Sequence, residues 1–151
     1  MAGEDGNEMT EDMIEDLVLP AAIAAAMIEH CESERPNEAC GLLGRSGDGI
    51  SQVYPMRNAA ASPVRYALDP QEQLSVYRII EDAGSLGGVY HSHTRTEAYP
   101  SPTDVRMASE DVPYLIVSLA SQPASIRAFR IIKANWTDET GEIIEVPVVV
   151  H

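Results

Sequence analysis

Two histidines, His91 and His93, stand two residues apart in the segment GGVYHSH, whose glycine-led apolar run reads as a strand. Side chains at i and i+2 leave a strand on the same face, so both imidazoles can bind one ion, and neutral imidazole suits zinc. Two packed core histidines would produce the same pair. Asp104 follows, three positions after Ser101, at the head of SPTDVRMASE. That segment is also a good helix start, with Ser101 as cap, Pro102 in the first turn and Asp104 facing the positive end of the helix. The two roles are compatible, because a cap fixes where the helix begins and the seven-residue loop TRTEAYP can return Asp104 to the end of the strand. Two His and one Asp leave a tetrahedral zinc with its fourth position open to water, which is the layout of a catalytic rather than a structural centre. Hydrolysis also needs a carboxylate to take the proton of that water. Glu38, in ERPNEACGLL, runs straight into an apolar segment and is oddly placed for a solvated charge, although an exposed carboxylate at the start of a strand is the simpler alternative.

The elements that must position these groups follow from pattern. LVLPAAIAAAMIEHCESE gives a short extended piece and then a helix with Pro20 near its first turn, its inner face carrying Ile23, Met27 and Cys31. Pro36 and Asn37 end that stretch, and ACGLLG predicts a buried strand over 39–44. ISQVYPM predicts a second strand after the SGDG turn. Next come a loop and a short extended piece over 65–68. Asp69, Pro70 and Glu72 form a capping-box signature in which Glu72 reaches back to the cap. The helix that follows, to about residue 83, directs Leu74, Tyr77 and Ile80 inward and stops at Gly84. YLIVSLA, apolar throughout, suits a central strand covered on both faces. IRAFRII and EIIEVPVVV supply two more, the second pushed toward a sheet edge by Pro147.

The arrangement of Glu38, then His91-Ser92-His93, seven residues, then Ser101-Pro102-Thr103-Asp104 resembles the JAMM motif of the JAB1/MPN/Mov34 (MPN+) metallopeptidases, a Glu upstream of H-x-H-x7-S-x-x-D. The resemblance spans the chain from the helix before EACGLLG to the last strands. It implies Zn2+ held by His91, His93 and Asp104, with Glu38 as general base and Ser101 as the donor that steadies the oxyanion. It implies an α/β fold, a single domain over residues 17–151 with a curved mixed sheet flanked by helices, cytidine-deaminase-like in architecture. HSHTRTEAYPSPTDV and PNEACGLLG are most similar to the branch of the family that acts on ubiquitin-like sulfur carriers. That branch implies hydrolysis after the C-terminal Gly-Gly of the carrier with release of cysteine, a step of cysteine biosynthesis. Removal of a ubiquitin-like modifier from lysine is the alternative. A non-catalytic scaffold, as in relatives lacking the ligands, is opposed by the presence of all five positions. Thr94 departs from the Pro that many members carry after the second His, at a position that is not a ligand. A zinc deaminase would need a Pro-Cys-x-x-Cys half-site, and neither Cys31 nor Cys40 lies in one.

The chain has 151 residues and a net charge of −14, with a single Lys against nine Arg. Nucleic-acid binding driven by counterion release is therefore disfavoured. Seven acidic residues and no basic one fall within residues 1–16, which reads as a solvated, disordered tail. No apolar run approaches a membrane span, the start has no signal-peptide pattern, and two cysteines fit reduced thiols, so the expectation is a cytoplasmic protein without membrane contact. Cys40 reads as a buried inert thiol, His30 as a surface residue, His151 as disordered, and Tyr99 and Trp136 as packing.

Overall fold

The computed structural model describes residues 15–47 and 49–151, so the expected acidic tail lies almost wholly outside the described residues. The elements run β1 (Leu17–Leu19), α1 (Ala21–Ser33), β2 (Cys40–Ser46), β3 (Gly49–Met56), α2 (Pro70–Ala83), β4 (Ser85–His93), α3 (Pro102–Met107), β5 (Tyr114–Ser118), β6 (Ser125–Ile132), β7 (Glu142–Val146) and β8 (Val148–Val150). Six strands form one mixed sheet in the order β3-β2-β4-β5-β6-β7. All neighbours are antiparallel except β4 and β5, and that parallel pair requires the crossover that carries α3. This is the α/β fold expected, with helices on both faces of a sheet.

The two faces have separate cores, because strand side chains alternate. One packs Leu19, Met27, Cys31, Leu43, Tyr90 and Leu115 beneath α1. The other packs Leu42, Met56, Ile80, Val89, Val105 and Tyr114 beneath α2 and α3. β5 is buried at every position, as its largely apolar sequence predicts, with Ser118 as the one small polar residue. Pro147 does more than mark an edge: the chain leaves the large sheet there, and β8 pairs in parallel with β1, Leu17 opposite Val148 and Leu19 opposite Val150.

Several local expectations are corrected. Leu74 is 52% exposed, and α2 instead turns Val76, Tyr77 and Ile80 toward the sheet. Asp69 does cap α2 by accepting from the Glu72 N–H, but the Glu72 carboxylate accepts from the Arg57 N–H at 3.2 Å rather than returning to the cap. His151 is tied at both backbone groups, its N–H donating to Leu19 O and its carbonyl accepting from Ala21 N–H, each at 3.0 Å. His30 is half-buried and its Nδ1 lies 2.7 Å from the Tyr90 hydroxyl, so it belongs to the packing of α1 on the sheet. Among the described residues, no helix is long and apolar enough to cross a membrane.

Candidate active site

β4 ends in the two histidines, both buried and both on the face away from α1. α3 begins nine residues after the strand with Ser101 as its cap, as the sequence predicts, and the structure adds the reciprocal bond from Asp104. The Ser101 Oγ accepts from Asp104 N–H at 3.0 Å, and Asp104 Oδ2 accepts from Ser101 N–H at 2.9 Å. A helix this short gains little from propagation, so its ends must be held. At the far end Lys133 Nζ donates to the carbonyls of Val105, Arg106 and Ala108 at 3.0 to 3.1 Å, satisfying acceptors that the last turn leaves open.

The result is a tight triangle. His91 Nε2 and His93 Nε2 are 3.2 Å apart, and Asp104 Oδ2 lies 3.2 Å from the first and 3.1 Å from the second. His93 Nδ1 donates to the Glu97 carbonyl at 2.8 Å, which in the neutral ring leaves a lone pair on Nε2 facing the other two atoms. Three such electron-pair donors repel unless a proton or a cation lies among them. The His91, His93 and Asp104 set therefore fits a metal ion. Burial would raise the Asp104 carboxyl, but the hydrogen bonds to His91 and His93 outweigh it and hold the group well below the usual carboxylate range. For His93, burial favours the neutral ring, and the Asp104 bond, aided by the Glu97 carbonyl, pulls its pKa upward.

Glu38 comes from the other side of the sheet's end. Its backbone N–H donates to Ser62 O at 2.9 Å, and its carbonyl accepts from Asn58 Nδ2 at 2.9 Å. The next residue is pinned to β4, with Ala39 N–H donating to Ser92 Oγ at 2.8 Å. Thus the middle residue of His-Ser-His, facing away from the triangle, locks the strand that delivers Glu38. Glu38 is only 4% exposed, and its carboxylate Oε1 has no hydrogen-bond partner among the described residues. Burial pushes its pKa up to about 8, with His93 opposing and Asp104 adding to the rise. Glu38, His93 and Ser101 line one cleft of about 460 Å³, whose apolar walls include Pro36, Pro63 and Val64.

All five residues singled out in the sequence thus lie in one neighbourhood. Two residues that position them were not legible. Tyr66 stacks on the His91 ring, centroids 4.5 Å apart at 24°. Asn58 organises the loop that carries Tyr66, its Oδ1 accepting from the N–H groups of Ala60 and Ala67 at 2.9 and 3.1 Å. An Asn ahead of a run of small residues was the available signal for the turn. Cys40 lies opposite His91 in the ladder but is buried, with its thiol directed to the Arg57 carbonyl, in keeping with an inert role.

Comparison with known proteins agrees with this geometry. The family of prokaryotic homologs of the JAB domain matches residues 20–132. A CysO-cysteine peptidase of Mycobacterium tuberculosis is 42% identical over 134 residues, 85% of this chain and 92% of its own length. A desampylase of Haloferax volcanii is 40% identical over 85 residues, 54% of this chain and 61% of its own. Among solved structures, a Desulfitobacterium hafniense protein determined in solution superposes with a TM-score of 0.75 at 34% identity, covering 89% of this chain and 92% of the other. With the family match spanning most of the domain and the peptidase similarity running through both halves of the site, this chain belongs to the prokaryotic JAB family and is a peptidase of it.

Proposed function

We propose that the chain is a cytoplasmic zinc peptidase that cleaves after the C-terminal Gly-Gly of a ubiquitin-like sulfur carrier and releases cysteine, as a step of cysteine biosynthesis. His91, His93 and Asp104 hold the ion. When bound, zinc lowers the pKa of water to about 7 and polarises a carbonyl. Glu38 accepts the proton of the attacking water and delivers it to the departing amine, and its buried, unpartnered carboxylate oxygen suits a group that must exchange a proton within the cleft. Ser101 accepts the Asp104 N–H through its oxygen, which leaves its hydroxyl proton available to donate to the carbonyl oxygen as negative charge develops there. Tyr66 holds the His91 ring in place.

The observation that supports hydrolysis best is the convergence of three ligand atoms beside a cleft that Glu38 and Ser101 also line. The carrier and its leaving group are supported by the similarity to the mycobacterial CysO-cysteine peptidase over 92% of that protein. A flexible glycine tail needs little side-chain selectivity and can be held by backbone pairing. The similarity to a desampylase keeps removal of a ubiquitin-like modifier from lysine as the alternative. The two separate on intact-mass analysis of carriers ending in Gly-Gly-Cys, Gly-Gly-peptide and Gly-Gly linked to a lysine ε-amine. Fastest loss of cysteine is expected, preference for the ε-linkage would replace this reading by the alternative, and cleavage of none with zinc supplied would remove both.

A further inference from the structure

The cleft that holds Glu38 and Ser101 is lined by one arginine and no lysine. That arginine is Arg95. It is exposed, and among the described residues no carboxylate is paired with it. Arg35, which borders the adjoining hollow, is already engaged, donating to Leu119 O at 2.8 Å and lying 3.5 Å from Glu32. The backbone beneath Arg95 is firmly placed. The carbonyl of the next residue, Thr96, accepts from Ser118 Oγ at 2.6 Å, and that of Glu97 accepts from His93 Nδ1 at 2.8 Å. A cation with no carboxylate partner among the described residues is thus mounted on the same turn that orients His93, in a chain whose net charge is −14.

An amino acid released from a carrier differs from a lysine side chain in one charge. Its α-carboxylate is free and lies about 2.5 Å from the leaving nitrogen, two bonds away. In a lysine isopeptide the corresponding carboxyl is a neutral peptide group several carbons distant. Any residue that reads the free carboxylate must therefore line the cleft that contains the general base, and Arg95 is the cation that does. Its planar fork can take both carboxylate oxygens. An acidic surface on the carrier is a poorer match, since long-range repulsion from a strongly acidic chain outweighs one exposed cation.

We propose that Arg95 receives the free α-carboxylate of the amino acid being released, so that the cleft selects a single C-terminal residue over a lysine embedded in a protein. This refinement rests on the carrier-peptidase reading above. It is tested with one carrier ending in Gly-Gly-Cys, made as the free acid and as the carboxamide. kcat/KM is measured with zinc-loaded wild type, Arg95→Ala, Arg95→Lys and, as a charge control on the outer face of α2, Arg78→Ala. Wild type should prefer the acid by roughly 10–100-fold, the worth of a hydrogen-bonded charge, and the preference should lie chiefly in KM. Arg95→Ala should reduce the preference to within about threefold, Arg95→Lys should restore part of it, and Arg78→Ala should keep it. Equilibrium binding of the two carriers to Glu38→Gln protein, with and without Arg95→Ala, should show the same loss of discrimination without turnover. An unchanged acid preference in Arg95→Ala, or an equal slowing of acid and amide, overturns the assignment while leaving the peptidase reading intact. Cleavage of the ε-lysine linkage alone by wild type overturns both.

Discussion

Four consecutive residues of β4 are shut away from solvent to nearly the same degree: Tyr90 and Ser92 are 0% exposed, His91 1% and His93 6%. Their polar atoms are treated in opposite ways on the two faces. On the α1 side the Tyr90 hydroxyl meets His30, and the Ser92 oxygen takes the Ala39 N–H. On the other side His91 Nδ1 and Glu38 Oε1 have no partner among the described residues, and three electron-pair donors crowd together. Buried polar groups are normally satisfied because leaving one bare costs about 1–3 kcal/mol. Burial therefore does not separate structure from function on this strand, whereas completion of hydrogen bonding does. The satisfied face holds the sheet together, and the unsatisfied face carries the three atoms that fit a metal ion.

That contrast can be broken by mutation, and the largest effects belong to the unsatisfied face. His91→Ala should lose metal and hydrolysis together in elemental analysis and a turnover assay, since it removes a ligand. Glu38→Gln should retain metal but lose about 10²–10⁴-fold in kcat. Loss of metal on this substitution would make Glu38 a ligand. Ser101→Ala touches both roles at once: about 10²–10³-fold in kcat if the hydroxyl stabilises the oxyanion, and about 1 kcal/mol of stability from the cap. Normal turnover with a lowered Tm would leave only the cap.

Effects on the satisfied face should be confined to folding. A Cβ at Gly41 would collide with the Tyr90 ring, so Gly41→Ala should cost about 1–3 kcal/mol in chemical denaturation. Tyr90→Phe, which strands His30 Nδ1, should cost about 1 kcal/mol with metal content unchanged. A loss of metal in Tyr90→Phe equal to that in His91→Ala would erase the distinction between the faces.

Legibility in the sequence followed the range of the interactions. His91, His93, Ser101 and Asp104 are readable because fourteen residues contain them all and each spacing has a local meaning, one strand period or one capped helix start. Glu38 was suggestive by its apolar neighbours, and its role came from the family resemblance. Tyr66 and Asn58 act across the gap between a loop and the sheet, and no periodicity encodes that. Leu74 was misplaced because the sheet beneath α2 selects which of several apolar stripes faces inward. Glu72 was diverted by a competing donor, the Arg57 N–H, that only the fold brings near. Pro147 predicts a local edge, yet in the fold it moves the chain to another sheet.

The pairing of β1 with β8 also has a mechanical meaning. The strands are parallel, so the chain enters β1 at one end of the ladder and leaves β8 at the other. Tension applied through those two points pulls the strands past each other instead of peeling them apart. The bonds Leu17 N–H to Pro147 O at 2.8 Å and His151 N–H to Leu19 O at 3.0 Å are then loaded together, with no first bond to break alone. β4, α3 and Glu38 all lie inside the loop of chain that this clasp closes, so a force drawn along the chain is borne at the clasp before it can reach the His91, His93 and Asp104 cluster.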